Sequence, residues 1–244
     1  MARTLKIDNV LKKRFAKKEQ KEKREGVKDL RVYFLIVCEG EKTEPNYFKS
    51  FPQKVGTTVY DLTFDGGGIS TTKVVEKAIE LRNKSIQKYD RVWAVFDRDS
   101  FKPNLFNGAI AKAMANDIGC AWSNEAFELW YLLHFYNRVT AMHRDEYKRA
   151  IERAINEKIA ISSKSKKQEI FKYKKNATDM YATLIKYGHQ EQAIHWSKEL
   201  TKQHVGSNFA SHNPCTTVYQ LVEELIGKSE ELNNLIAKKY DLGE

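Results

Sequence analysis

Two stretches of the chain run apolar without a polar break. Arg31 to Cys38 (R-V-Y-F-L-I-V-C) and Arg91 to Phe96 (R-V-W-A-V-F) are apolar throughout after their leading arginines, and rich in β-branched and aromatic residues. Runs of this kind fit strands buried on both faces of a parallel sheet. Val59 to Asp65 (V-Y-D-L-T-F-D) alternates instead, which predicts a strand with one less protected face, nearer an edge. Cys120 to Ser123 predicts a short fourth strand. Between them, apolar positions at helical spacing predict helices over Asn46 to Phe51, from Ser70 or Thr71 to about Tyr89, and over Leu105 to Ile118. A further apolar segment, Glu125 to Tyr136, reads as a buried helix. Strand and helix thus alternate across residues 32–136, the pattern of an α/β fold with a parallel sheet and right-handed crossovers. Beyond it the pattern is helical only, over 143–157, 177–204 and 215–240, with a turn from Ser207 to Pro214.

Charge divides the chain further. Residues 1–31 hold twelve Lys/Arg against five Asp/Glu, whereas the remaining residues are nearly balanced. A second basic cluster, Asn156 to Asn176, carries seven Lys and two Glu. The expected organisation is a basic flexible arm over 1–30, an α/β core over 31–140 and a helical C-terminal region over 141–244 packing on that core. Basic segments on a neutral body suit contact with phosphate backbones, and equally a solvated tail that keeps the protein soluble. For nucleic-acid contact the candidates are Lys12, Lys13, Arg14, Lys17 and Lys18 in the arm, and Lys166, Lys167, Lys174 and Lys175 in the second cluster. No run approaches the roughly 20 apolar residues of a membrane span. The N-terminal charges are not followed by an apolar core, so no signal peptide is expected. Cys38, Cys120 and Cys215 are scattered, without C-x-x-C spacing. They argue against a disulfide framework or zinc site, and a cytoplasmic protein is expected.

The chemistry gathers where the apolar runs stop. In parallel sheets the ligand sits outside the carboxyl ends of the strands. The first run ends at Glu39-Gly40-Glu41-Lys42-Thr43-Glu44-Pro45, and the third strand ends at Asp97-Arg98-Asp99. Gly40 permits a sharp turn or close backbone approach, Thr43 or Glu44 suits a helix cap, and Pro45 suits a first helical position. If the strand conformation persists, Asp97 and Asp99 point the same way and Arg98 away. With the first and third strands adjacent, Glu39, Asp97 and Asp99 would converge, and such oxygen donors suit Mg²⁺ or Mn²⁺. Glu128 and Glu125, three apart, would share a helix face near its start, where a carboxylate is also favourable without any catalytic role. Lys42 is placed to reach a phosphate, or to be a plain surface lysine. His134 reads more readily as a core histidine than as a catalyst. Gly66-Gly67-Gly68 before a helix could hold a phosphate, but it lacks both G-x-G-x-x-G and a G-K-[ST] ending.

Four motifs together carry a resemblance. Val37-Cys38-Glu39-Gly40-Glu41-Lys42-Thr43-Glu44-Pro45-Asn46-Tyr47-Phe48, Val95-Phe96-Asp97-Arg98-Asp99, Ser123-Asn124 with Phe127-Glu128-Leu129-Trp130 and Leu132-Leu133-His134-Phe135, and Asn213-Pro214-Cys215-Thr216-Thr217-Val218 resemble the RloB-like proteins, from about residue 30 to about 226. The resemblance implies a Toprim-type α/β domain and a role in bacterial defence against phage. It places the Toprim acids at Glu39, Asp97 and Asp99, makes Glu128 and Lys42 secondary site candidates, and makes Asn213 with Thr216 a conformational or substrate-binding turn. The chain departs from the expected pattern in having Asn124-Glu125-Ala126 where Asn-Pro would precede the aromatic.

The expected function is a Mg²⁺- or Mn²⁺-dependent nuclease cleaving RNA or DNA, with Glu39, Asp97 and Asp99 as metal ligands and Lys42 and Glu128 beside them. The alternative is a non-catalytic module that senses a nucleotide or nucleic acid and signals to a defence-system partner protein. A nucleotidyl transferase or primase ranks last, because no partner domain for it is present. The helical C-terminal region leaves room for a homo-oligomer, although no heptad pattern supports one.

Overall fold

The computed structural model describes residues 29–67, 70–99, 101–162 and 170–242. Its centre is four parallel strands: β1 (Leu30–Cys38), β3 (Thr58–Gly66), β4 (Arg91–Asp97) and β5 (Gly119–Asn124). A two-residue strand lies antiparallel at each edge, β2 (Lys54–Val55) beside β3 and β6 (Cys215–Thr216) beside β5. The order is β2-β3-β1-β4-β5-β6, a mixed sheet curled as a half-barrel. The expected parallel sheet flanked by helices is therefore present, and β1 and β4 are neighbours. The alternating strand, β3, is next to the edge.

The unbroken runs follow from burial on both faces. From β1, Val32, Phe34, Ile36 and Cys38 enter one core while Leu35 and Val37 enter the other. From β4, Trp93 and Val95 face the first core, and Val92, Ala94 and Phe96 the second. The second, smaller core is closed by α2 (Thr71–Lys84) and α3 (Pro103–Met114), through Val74, Val75 and Ala78 and through Phe106, Ala109, Ile110 and Ala113. The larger core is closed by α1 (Thr43–Lys49), α4 (Glu128–Leu132) and the C-terminal helices α5 (Arg144–Ser162), α6 (Met180–Tyr187), α7 (Gln190–Lys202), α8 (Val218–Leu225) and α9 (Glu230–Lys239).

The segments expected as single helices are more broken. The stretch 177–204 divides into α6 and α7 at Gly188, where a Cβ would lie 2.7 Å from His134 Cβ. The stretch 215–240 begins as β6 and then divides into α8 and α9. Thr217 makes the join to the sheet: its hydroxyl donates to Cys120 O (2.8 Å) and accepts from Trp122 N–H (2.9 Å). Ser123 and Thr216 share a buried hydroxyl contact of 2.9 Å.

His134 is fully buried, with Nδ1 against Trp130 O at 2.9 Å, while Nε2 has no partner. An Nδ1–H that donates leaves Nε2 bare, so the ring is neutral in the fold. Burial holds its pKa down to about 4. An unfolded histidine titrates near 6.5, so between those values the unfolded chain binds the extra proton. His134 therefore contributes full stability above about pH 6.5 and loses it as pH falls toward 4, by about 3 kcal/mol in all. Urea unfolding of wild type and His134→Gln at pH 7.5 and pH 5 checks this. The difference between the two proteins is expected to shrink by about 2 kcal/mol at the lower pH, and an unchanged difference contradicts it.

Candidate active site

Backbone geometry brings the acids together. The β1 ladder continues one residue past the strand, with Glu39 N–H donating to Val95 O at 2.8 Å. That bond sets Glu39 beside the end of β4, and its Oε2 accepts the Asp97 N–H at 3.1 Å. Strand β4 ends at Asp97, and Asp99 turns away with a positive φ of 40°. The strand alternation thus stops at Asp97. The Asp99 carboxylate forms an ion pair with Arg144 at the start of α5. Arg144 N–H is itself held by Glu125 Oε2 at 2.7 Å, and Asp99 N–H donates to Glu125 O at 3.1 Å. Glu125 is therefore a brace between the Asp99 turn and the start of α5. It does not share a helix face with Glu128, because α4 starts only at Glu128. Arg98 turns its guanidinium onto Asp99 O at 3.0 Å.

A cavity of about 650 Å³ opens here, lined by Glu39, Gly40, Glu44, Asp97, Asp99 and Glu128, with Lys42, Ser70, Arg144 and Lys175 around them. Glu44 is the unanticipated member. It lies in the first turn of α1 and is buried, its carboxylate folded back over Gly40. A Cβ at residue 40 would stand 2.3 Å from Glu44 Oε2, so a side chain there would displace that carboxylate. Lys42, exposed, occupies the position before α1. Glu128 accepts a hydrogen bond from the Tyr173 hydroxyl at 2.8 Å.

Negative charge accumulates in this cavity. Burial, then the neighbouring Glu44 and Asp99, push the Glu39 carboxyl up to about 7, against the Asp97 N–H bond and Arg144. Burial and Glu128 push Glu44 up to about 7 as well. Asp97 is raised well above the usual carboxylate range by burial, Glu44, Glu128 and Glu39. The residue keeps some solvent contact at the cavity mouth, yet Oδ1 is sealed from water and has no hydrogen-bond partner. An unpartnered buried carboxylate oxygen is costly and calls for a proton or a cation.

Among the described residues, no group of three or more His, Cys, Asp or Glu forms a ready-made metal cage. By chemistry the donors still suit a hard divalent ion: all are carboxylate oxygens, and Asp97 Oδ1 is free to ligate.

The model of the RloB-like protein family matches residues 34–225. The chain belongs to the RloB-like protein family. No curated protein and no solved structure matches it. In this RloB-like chain the matched span runs from β1 to the end of α8, so it takes in the acidic cavity and the turn at Asn213–Thr216. That turn lies by the β5–β6 edge, where Asn124 Nδ2 donates to His212 O at 2.8 Å. Of the basic residues singled out for nucleic acid, Lys174 and Lys175 lie beside the cavity. Lys12, Lys13, Arg14, Lys17, Lys18, Lys166 and Lys167 fall outside the described residues. Gly66 ends β3 and Ser70 lines the cavity, while Gly68 lies outside the described residues. No described helix is long and apolar enough to cross a membrane.

Proposed function

We propose that this protein is a divalent-metal-dependent nuclease, cleaving phosphodiesters of RNA or DNA, and that it serves bacterial defence against phage. The defence setting is what membership of the RloB-like family suggests, beside a partner protein of the same system. One observation carries the chemistry: Glu39, Glu44, Asp97 and Glu128 share a cavity at the carboxyl ends of β1 and β4, and buried Asp97 Oδ1 lacks a partner. Glu39 and Asp97 would hold Mg²⁺ or Mn²⁺, with Asp99 joining them once released from Arg144. Such an ion, when bound, supplies a more acidic water and neutralises phosphate charge. Glu44, its carboxyl pushed up by burial, can hold or accept a proton at the cavity wall, and Glu128 adds a second carboxylate there, fixed by the Tyr173 hydroxyl. Lys42, exposed at the rim, meets the phosphate as a point charge.

The test is cleavage of end-labelled single- and double-stranded RNA and DNA in Mg²⁺ or Mn²⁺, with Glu39→Gln and Asp97→Asn as controls. Cleavage that needs metal and disappears in both variants supports the proposal. Equal cleavage by wild type and Asp97→Asn overturns it. The engagement of Asp99 by Arg144 favours a second reading, a metal-dependent nucleic-acid sensor without turnover. Metal-dependent binding that leaves every substrate intact would select it.

A further inference from the structure

A second cavity, of about 420 Å³, adjoins the acidic one and shares Glu128, Arg144 and Lys175 with it. Its other walls are Lys148, Tyr173, Lys174 and Asp145. The sign of charge reverses between the two, from carboxylates to one arginine and three lysines. Lys148, Lys174 and Lys175 are exposed and form no salt bridge among the described residues, whereas Asp145 is turned to His143 at 3.3 Å. The backbone that carries two of these lysines is hydrogen-bonded to the body of the fold. Lys174 and Lys175 lie on an irregular strap that three elements fasten. Tyr173 N–H donates to Glu152 Oε1 of α5 at 3.0 Å, and its buried hydroxyl to Glu128 at 2.8 Å. Thr43 Oγ1 and Asn46 Nδ2 of α1 donate to Lys175 O and Asn176 O at 3.1 and 3.2 Å. The strap holds its lysines beside the acids, and Lys148 of α5 lines the same cavity.

We propose that Arg144, Lys148, Lys174 and Lys175 form a subsite for the phosphates of a nucleic-acid strand leading into the acidic cavity. Arg144 is the shared wall. Its guanidinium pairs with Asp99; were that carboxylate to serve as a metal ligand, the guanidinium would be free to fork onto a phosphate. The proposal rests on the reading of the acidic cavity as the place where that strand is cut or sensed.

The experiment is fluorescence anisotropy with labelled single-stranded RNA and DNA oligonucleotides. Binding is followed in Ca²⁺ across a salt series, for wild type and the triple variant Lys148→Gln, Lys174→Gln, Lys175→Gln. Each lost phosphate contact on a single strand removes about 0.7 from the slope of log affinity against log salt, so a loss of about 2 is expected, with affinity down about tenfold. A larger loss with RNA than with DNA would identify the source of the phosphates as RNA, an equal loss a strand of either kind. An unchanged slope in the triple variant, or no strand binding by wild type, overturns the subsite. Arg144 is tested without nucleic acid, by Mn²⁺ titration followed by electron paramagnetic resonance. Arg144→Gln is expected to bind Mn²⁺ several-fold more tightly, and weaker or equal binding overturns its exchange role. A wild type that binds with the lysine-dependent slope and never cleaves removes the nuclease and keeps the subsite. Cleavage with a full slope in the triple variant removes the subsite alone.

Discussion

Asp97→Asn is expected to melt at a higher temperature than wild type in EDTA, and to lose metal-dependent cleavage by about 10³-fold. The two effects share one cause. Asp97 ends a strand buried from Val92 to Phe96, so its carboxylate is fixed where Glu39, Glu44 and Glu128 already concentrate negative charge. Without a cation that arrangement works against the fold, because each buried carboxylate raises the cost of the next. Asparagine keeps the shape, needs neither a proton nor a cation to be neutral there, and gives a neighbouring carboxylate an N–H₂ donor. A gain of about 1–2 kcal/mol corresponds to a rise of roughly 2–8 °C for a chain of this size. Adding Mn²⁺ should then reverse the order, raising the wild-type midpoint and leaving the variant where it was. Thermal unfolding of both proteins with EDTA and with Mn²⁺ checks this in one plate. A variant less stable than wild type in EDTA would show that the acids are not held against one another. The pairing of a stabilised fold with lost activity is the signature of a site whose sequence serves chemistry at the expense of stability.

How far such a site can be read from sequence depends on whether its residues interrupt a regular pattern. Glu39 and Asp97 do: each is the first acid after a short apolar run whose length and β-branched and aromatic content mark it as a strand. Their convergence needs only β1 and β4 to be neighbours, as they are. Glu44 does not stand out. Beside Thr43 and Pro45 it has the look of a capping residue, and its place in the cavity depends on the fold-back over Gly40. Arg144 is less visible still, since nothing local marks a helix-start arginine as the partner of an acid far back in the chain. The short elements escape for a related reason. Strand β6 has two residues, too few to show a period, and α4 has five where the apolar segment suggested three turns. Gly188 did carry a cue to the break between α6 and α7, as a glycine within a helical pattern, but its reason is the distant His134.

Glu224→Ala is expected to cost about 3–5 kcal/mol and to lower the midpoint by roughly 10 °C, the largest single-residue effect on stability argued for this chain. Glu224 lies on α8 and is almost fully buried. It accepts the indole N–H of Trp93 at 2.7 Å and pairs with Arg91, both on β4. Arg91 also reaches Glu231 of α9 at 2.8 Å. The same end of the sheet is fastened to α9 by Lys239, which donates to Asp90 Oδ2 at 2.7 Å, while Asp90 in turn accepts Tyr33 N–H at 2.8 Å. The buried Trp93 ring fills the space above Gly119, where a Cβ would stand 2.6 Å from it. Truncating Glu224 therefore strands a buried indole N–H and leaves Arg91 dependent on an exposed partner, Glu231, which water screens. Glu224→Gln keeps an oxygen for the indole and loses only the charge, so its cost should be about half as large. Urea unfolding of the three proteins orders them as wild type, glutamine, alanine. An alanine variant as stable as wild type would mean that the C-terminal helices rest on the sheet by apolar contact alone. The expected loss ties the proposed active site to that end of the molecule as well. Strand β4 carries Trp93 near its start and Asp97 at its end, so the C-terminal helices that anchor the first also hold the strand on which the second depends.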